Sequence, residues 1–343
     1  LLSWGLTLKM VSKIAGLGKN TVKQIDLERL RDLYTIDGER LIKPERQARV
    51  LGIDEFLLHK GHKYATVIID METGHILWLA FGRKKACVYA FIEHVGLEWM
   101  AGVEAVACDM NSDFQQAFQD SCPHIKVVFD YFHIHKNLND KVVSEVRKDE
   151  QRRLLDEGDK EGAKALKGSR YILFSSRKSL EQKDEQARLA KAEPKEKAGG
   201  IFEKPKAEPR DDHLERYERL LEENKLFFTL DLIKELLTQA YEATDEKSMK
   251  IAIDEIIDLC EATGNKHFLW FKRLLENHMF GIITHATYNI SSGKIEGLNN
   301  VIKTTRKQGY GYPDDEYFFL KLFDASRRTY ERNPSAIKIP QDL

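Results

Sequence analysis

VLGIDEFLLHKGHKYATVIIDMETGHILWLAF, Val50 to Phe81, decides the fold. It holds three apolar runs of strand length, VLGIDEF, YATVIID and ILWLAF. They are separated by His59 to Lys63 and by Met71 to His75, which includes the turn-forming Glu-Thr-Gly. Three consecutive runs of this kind predict an antiparallel meander. Downstream, Lys85 to Met100 reads as a helix with Val88, Phe91, Ile92 and Val95 on one face. VEAVACD then reads as a fourth strand ending at Asp109, Ser112 to Gln119 as a helix, and IKVVFD as a fifth strand ending at Asp130. Helices alternating with strands after an antiparallel start predict an α/β fold with a mixed sheet.

Outward from this block the texture changes. From about Tyr131 to His285 apolar residues recur at helical spacing. Within that span 183–212, rich in Lys, Glu, Pro and Gly, reads as a mobile loop. Then comes SSGKIEGLNNVIKTTRKQGYGY, Ser291 to Tyr312. A helix opening near Gly293 puts Glu296, Asn299, Asn300, Lys303 and Lys307 on one face, and Ile295, Leu298, Ile302 and Thr305 on the other. DDEYFFLKLFDASRR forms a last helix with Phe319, Leu322 and Phe323 inward. Ahead of the sheet, Leu8 to Leu30 reads as two helices broken at Gly16-Leu17-Gly18, a helix-turn-helix pattern. Val22 and Ile25 are the apolar positions of its second helix, and Lys19, Asn20, Lys23 and Gln24 are offered to phosphates and base edges. Any short helical hairpin with a glycine turn would also match. Tyr34 to Ala48 reads as a linker.

At 343 residues there is room for two domains, or for one core with an insertion. With 42% hydrophobic and 32% charged residues the composition excludes a disordered chain, and no apolar run is long enough to cross a bilayer. A net charge of −1 announces no nucleic-acid binder, so charge has to be read locally. Cys87, Cys108, Cys122 and Cys260 lack the paired spacing of a zinc cluster or a disulfide scaffold, and a reducing cytoplasm is expected. The N-terminus lacks the features of a secretory leader and does not begin with Met, and it reads as a fragment or a processed chain.

Three acids have placements that suit chemistry: Asp54 in the first strand, Asp109 at the end of the fourth, and Glu296 on a late helix. The first and fourth strands of a mixed sheet can lie side by side, bringing two carboxylates to one edge. Clustered carboxylates repel unless a cation stands between them. Mg²⁺ takes oxygen ligands, commonly one or two carboxylates with water and phosphates, and paired ions serve in-line phosphodiester displacement. Each acid also has an ordinary reading: a turn acid at Asp54, a helix cap at Asp109, a first-turn acid at Glu296. Asp130 and His133 stand beside this set, where the histidine could orient a phosphate or donate a proton. Arg83, Lys84, Lys303, Arg306 and Lys307 are candidate phosphate contacts. Tyr310 and Tyr312 could stack on unpaired bases, or pack under the glycine turns.

GIDEF around Asp54, ACDMN around Asp109, FDYFH from Phe129, LKGSRYIL from Leu166 and KIEGLNNVIKTTRKQGYGY around Glu296 occur in one order. In these motifs the chain resembles DDE transposases of bacterial insertion sequences, nearest the insertion-sequence-L-three (ISL-three) family, from Arg49 to about Arg327. The resemblance implies an RNase H-like core with an all-helical insertion between its fifth strand and its last catalytic helix. It implies a helix-turn-helix at 1–34, a linker at 35–48, core at 49–140, insertion at 141–285 and returning core at 286–343. Asp54, Asp109 and Glu296 would be the catalytic, metal-binding triad for Mg²⁺ or Mn²⁺, two ions in all, and Asp130 and His133 would match an Asp-x-x-His signature. Lys19, Asn20, Lys23, Arg83, Lys84, Asn299, Asn300, Lys303, Arg306 and Lys307 would meet double-stranded DNA. The activity implied is cleavage at element ends and strand transfer into target DNA, by a cytoplasmic, nucleoid-associated homo-oligomer, at least a dimer on DNA. The competing expectations are an RNase H-like nuclease or resolvase without strand transfer, and a non-catalytic helix-turn-helix regulator. Two departures stand out: no cysteine-rich segment precedes the helix-turn-helix, and the 183–212 stretch is longer and more charged than the family pattern.

Overall fold

The computed structural model describes residues 1–110, 112–192, 210–290, 293–309 and 311–328. Tyr310, one of the two tyrosines considered for base stacking, lies outside the described residues, as does 193–209 of the charged stretch. The chain forms two compact units, 1–130 with 290–343, and 131–289.

The first unit begins with a 3₁₀ turn, Leu2–Trp4, and a helical hairpin, α1 (Leu8–Ala15) and α2 (Lys19–Tyr34). Thr7 caps α1 by accepting from Met10 N–H, and Gly16, at φ 66°, supplies the left-handed residue that ends it. On α2 the buried face is Val22, Asp26, Leu27 and Leu30. Ile25, expected inside, is 52% exposed, because the buried stripe runs one flank over, through a charged residue. The segment expected as a linker carries a small antiparallel pair, β1 (Thr35–Ile36) with β2 (Arg40–Leu41).

The principal sheet follows: β3 (Val50–His59), β4 (Lys63–Asp70), β5 (Ile76–Phe81), then α3 (Lys85–Val95), α4 (Leu97–Met100), β6 (Ala105–Cys108), α5 (Ser112–Ser121) and β7 (Lys126–Phe129). The single helix expected over 85–100 is two, divided at Gly96. Strand order is β5-β4-β3-β6-β7. β3, β4 and β5 pair antiparallel, and β6 and β7 join parallel to β3. This is a mixed α/β sheet whose central strand is the one that carries Asp54. Its β6 residues are all buried, as a strand covered on both faces requires.

The second unit is helical throughout its described residues. α6 (Tyr131–Asn137) runs through a π-helical turn, Leu138–Val143, into α7 (Ser144–Asp156). α8 (Lys160–Leu166), α9 (Arg170–Phe174), α10 (Arg177–Ala192), α11 (His213–Glu223), α12 (Lys225–Glu242), α13 (Glu246–Thr263), α14 (Lys266–Ile283) and α15 (His285–Tyr288) complete it. The mobile loop expected from 183 is corrected at its start, since α10 continues to Ala192. Leu180 and Ala187 give that helix an apolar contact row, and Asp184 accepts from the N–H groups of His213 and Leu214 at the start of α11. Phe227, Leu230, Ile233 and Leu237 of α12, Met249, Ile253 and Ile256 of α13, and Phe268, Phe271 and Leu275 of α14 are buried. One polar cluster is enclosed with them: the Lys234 ammonium donates to Leu173 O (3.0 Å), Ser175 O (3.2 Å) and Tyr217 Oη (2.7 Å). Tyr217 in turn donates to Asp231, which also receives Arg177 at 2.8 Å. Every hydrogen of the ammonium is therefore used, which is what allows a lysine to be buried.

The chain returns to the first unit with α16 (Gly293–Gln308) and α17 (Asp315–Ser326). α16 buries Ile295, Leu298 and Ile302, the face that its spacing predicts. On α17, Leu322 and Phe323 are buried with Tyr317, Phe318 and Leu320, whereas Phe319, expected inward, is half-buried with its ring 5.1 Å from that of Phe81. Leu27 and Leu30 of α2 share one core cluster with Tyr317 and Leu320. Asp26, 1% exposed, accepts from Tyr317 Oη (2.7 Å), Lys321 Nζ (3.0 Å) and the Arg29 guanidinium (3.0 Å). Burial would raise the Asp26 pKa, but Lys321 and the hydrogen bonds outweigh it and hold the carboxyl below its usual range. Helix α2 is therefore built into this unit. Among the described residues no helix is long and apolar enough to cross a membrane.

Candidate active site

The strands that carry or lead into the acids are neighbours in the sheet. The parallel pairing of β3 with β6 ends at Gly52 with Ala107, and Asp54 and Asp109 each lie two residues beyond that pair on their own segment. Cys108 pairs with Phe129 of β7, and Asp109 and Asp130 are the residues that follow this last pair. Asp54 lies within β3, and Asp109 and Asp130 directly follow β6 and β7, the next two strands of the sheet. Asp54 and Asp109 are half-buried and Asp130 is buried.

α16 lies along β3 on the face of Gly52 and Asp54. A Cβ on Gly52 would stand 3.0 Å from Ile295 Cδ1, so the missing side chain is what lets the helix approach. One turn later Asn299 Nδ2 donates to Asp54 Oδ2 at 2.7 Å. Asp54 Oδ1 accepts the backbone N–H of Glu55, also at 2.7 Å. Both carboxylate oxygens are thus held in a fixed orientation. Further along, the Arg306 guanidinium donates to Leu57 O (2.6 Å) and to Leu58 O, and lies 5.4 Å from the centre of the Phe318 ring. His59 closes the contact against Asp315 at 2.7 Å.

Glu296 sits three residues before Asn299 on the same helix and is exposed. Among the described residues, no group of three or more His, Cys, Asp or Glu side chains stands close enough to hold a metal ion. Glu55, which sequence reasoning did not single out, belongs to this neighbourhood from the other face of the sheet. Burial pushes its carboxyl pKa up, and the charges of Asp109 and Asp54 push the same way against the pull of Arg83. Arg83 stands 3.6 Å from its Oε1, while Oε2 is buried without a partner. An acid directly beside Asp54 in an otherwise apolar strand was the available signal.

The remaining candidates fall into two groups. Lys19, Asn20, Arg83, Lys84, Asn300, Lys303 and Lys307 are exposed. Lys23, Asn299 and Arg306 are engaged within the fold: Lys23 pairs with Asp314 at 2.6 Å and stands 5.4 Å from the Tyr317 ring centre. His133 lies on α6, half-buried, with its ring 5.5 Å from that of Phe132. Tyr312 packs its ring 4.9 Å from that of Phe318, the ordinary role of the two considered for it.

A family model described as "Transposase" (DDE_Tnp_ISL3) matches residues 51–322. The chain is similar to the transposase for insertion sequence element IS1001 of Bordetella parapertussis, 27% identical over 316 residues, covering 92% of this chain and 68% of that protein. It is also similar to the transposase for insertion sequence element IS1557 of Mycobacterium tuberculosis, in two strains, 23% identical over 294 residues. That second match spans 80% of this chain and 60% of the relative's length.

Proposed function

The chain belongs to the ISL-three transposase family, and from that premise we propose that it catalyses transposition of a bacterial insertion sequence: cleavage at the element's ends, then joining of the freed 3′-hydroxyls to target DNA. The observation that carries the proposal is the parallel pairing of β3, which holds Asp54, with β6, which leads into Asp109, together with the Asn299–Asp54 hydrogen bond that fastens α16 to β3. Asp54, Asp109 and Glu296 are the proposed triad, on a core of RNase H-like arrangement. All three are carboxylates, the oxygen donors that Mg²⁺ and Mn²⁺ take, and they would have to draw together on binding, since among the described residues no three such side chains stand close enough to hold an ion. A pair of such ions, when bound, would supply activation of the attacking oxygen and stabilisation of the leaving oxygen.

The protein's own part is orientation and charge. Asn299 and the Glu55 N–H hold the Asp54 carboxylate at one angle. Asp130 and His133 are proposed as auxiliary groups that orient a phosphate. Lys303 and Lys307, on the exposed face of the Glu296 helix, and Arg83 and Lys84, after β5, are proposed to hold the DNA backbone, with Lys19 and Asn20 of the helical hairpin and Asn300 as further contacts. Pairing two DNA ends calls for at least a dimer on double-stranded DNA. The test is a joined-product assay with Mg²⁺ or Mn²⁺ on DNA bearing the element's ends. Joined products are expected. Hydrolysed ends with no joining would favour a nuclease, and binding with neither would favour a DNA-binding regulator.

A further inference from the structure

We propose that the tip of the β3–β4 hairpin, Lys60, His62 and Lys63, forms with Arg83 and Lys84 a sequence-independent clamp for the phosphate backbone of duplex DNA, an inference that rests on the function proposed above. The tip is HKGHK, His59 to Lys63, and Lys60, His62 and Lys63 are all exposed. His62 and Gly61 take left-handed backbone angles, φ 61° and 84°, which turns the chain sharply and projects the basic side chains from the sheet end.

Two contacts join the tip to the residues after β5. The Gly82 N–H donates to Tyr64 O at 2.8 Å, so Arg83 and Lys84 emerge beside the hairpin. The Arg83 guanidinium lies 4.6 Å from the centre of the Tyr64 ring, and the His62 ring is 6.4 Å from the same ring. The acids that pair near the tip are already committed, Glu55 to Arg83 and Asp315 to His59. Lys60, Lys63 and Lys84 form no ion pair among the described residues. Three unneutralised ammonium groups and a histidine on one projecting edge, in a chain of net charge −1, make a local field that suits a polyanion.

Direction separates a duplex from a free phosphate as the partner. Arg83 reaches from the tip to Glu55, the neighbour of Asp54. Five residues of strand separate Asp54 from His59, roughly 17 Å, or about five base pairs of duplex. A duplex whose scissile phosphate lay at Asp54 would thus run over the tip.

The test measures the affinity of the full chain for a duplex of scrambled sequence by fluorescence anisotropy between 50 and 300 mM salt. Each phosphate contact contributes roughly 0.9 to the slope of log affinity against log salt. Lys60→Ala/Lys63→Ala/Lys84→Ala is expected to lower that slope by about 2 to 3, and the triple Lys→Arg variant to keep it. An unchanged slope in the alanine variant, with the parent still binding and joining DNA, overturns the clamp and leaves the proposed function standing. A parent that binds no duplex overturns both. Equal loss in the arginine variant also overturns the clamp, because the effect would then not be one of charge.

Discussion

Gly52→Ala isolates the packing that sets α16 on β3. The residue has an ordinary extended conformation, so only space is at stake. The added Cβ would stand 2.5 Å from Met71 Sδ, 3.0 Å from Ile69 Cγ1 and 3.0 Å from Ile295 Cδ1. Met71 can change rotamer, whereas Ile69 is held as the ladder partner of Gly52 and Ile295 is 8% exposed inside the helix interface. Overpacking of this kind costs ~1–3 kcal/mol, against a gain of ~0.4–1 kcal/mol from restricting the unfolded chain, so a net loss of about 1–2 kcal/mol is expected. Urea denaturation read by hydrogen exchange at the β3 amides separates this unit from the helical one. The midpoint should fall with little change in slope. Relief must come partly from α16 moving outward, which lengthens the Asn299–Asp54 hydrogen bond, so DNA joining should fall even where the variant is fully folded. Ile295→Val removes the clashing Cδ1 and should return part of both losses. A Gly52→Ala protein within about 0.5 kcal/mol of the parent, or one that Ile295→Val does not help, would refute this packing argument.

Three further outcomes follow from the buried charges and the positioned amide. Asp26→Ala strands the Lys321 ammonium, 6% exposed, and should destabilise the α2–α17 contact by roughly 3–5 kcal/mol, seen as trypsin cleavage within 1–34 under conditions where the parent resists. Burial lowers the Lys234 pKa to about 8 from an ordinary 10.5, so between those values the unfolded chain binds more protons and stability rises with pH. The parent should therefore gain on Lys234→Met by about 1.4 kcal/mol per pH unit above pH 8, ~3 kcal/mol in all, in urea melts of the two proteins at matched pH; parallel curves would contradict the burial. Asn299→Ala should weaken Mn²⁺ binding roughly tenfold with the salt slope of DNA affinity unchanged, whereas a phosphate contact at Asn299 would lower that slope by about 1.

What was legible in the sequence was periodicity. The meander came from three apolar runs between turn residues, and the pairing of the first and fourth strands was among the arrangements that a mixed sheet allows and is the one that forms. The Glu296 helix showed its packed face through Ile295, Leu298 and Ile302. The use of a charged residue was less legible, because it depends on partners far away in the chain. Lys23 reads as a DNA contact until Asp314 is beside it, and Arg306 until the Leu57 and Leu58 carbonyls are. Asp26 and Lys234 interrupt apolar stripes and look like surface residues in a helical wheel. Their burial becomes affordable only with a tyrosine and an opposite charge from another helix. The end of α10 was hidden for the opposite reason: its Lys- and Glu-rich composition resembles the Pro- and Gly-containing stretch behind it, and three contact residues, Leu180, Asp184 and Ala187, carry the helix.

The central claim, that Asp54, Asp109 and Glu296 act as one site, is tested most directly by strand transfer with the full-length protein in Mg²⁺ and in Mn²⁺, comparing the parent with Asp54→Asn, Asp109→Asn and Glu296→Gln. Each variant is expected to lose joined product by at least a hundredfold while still binding element-end DNA. Parent-level joining in any one of the three would contradict the triad.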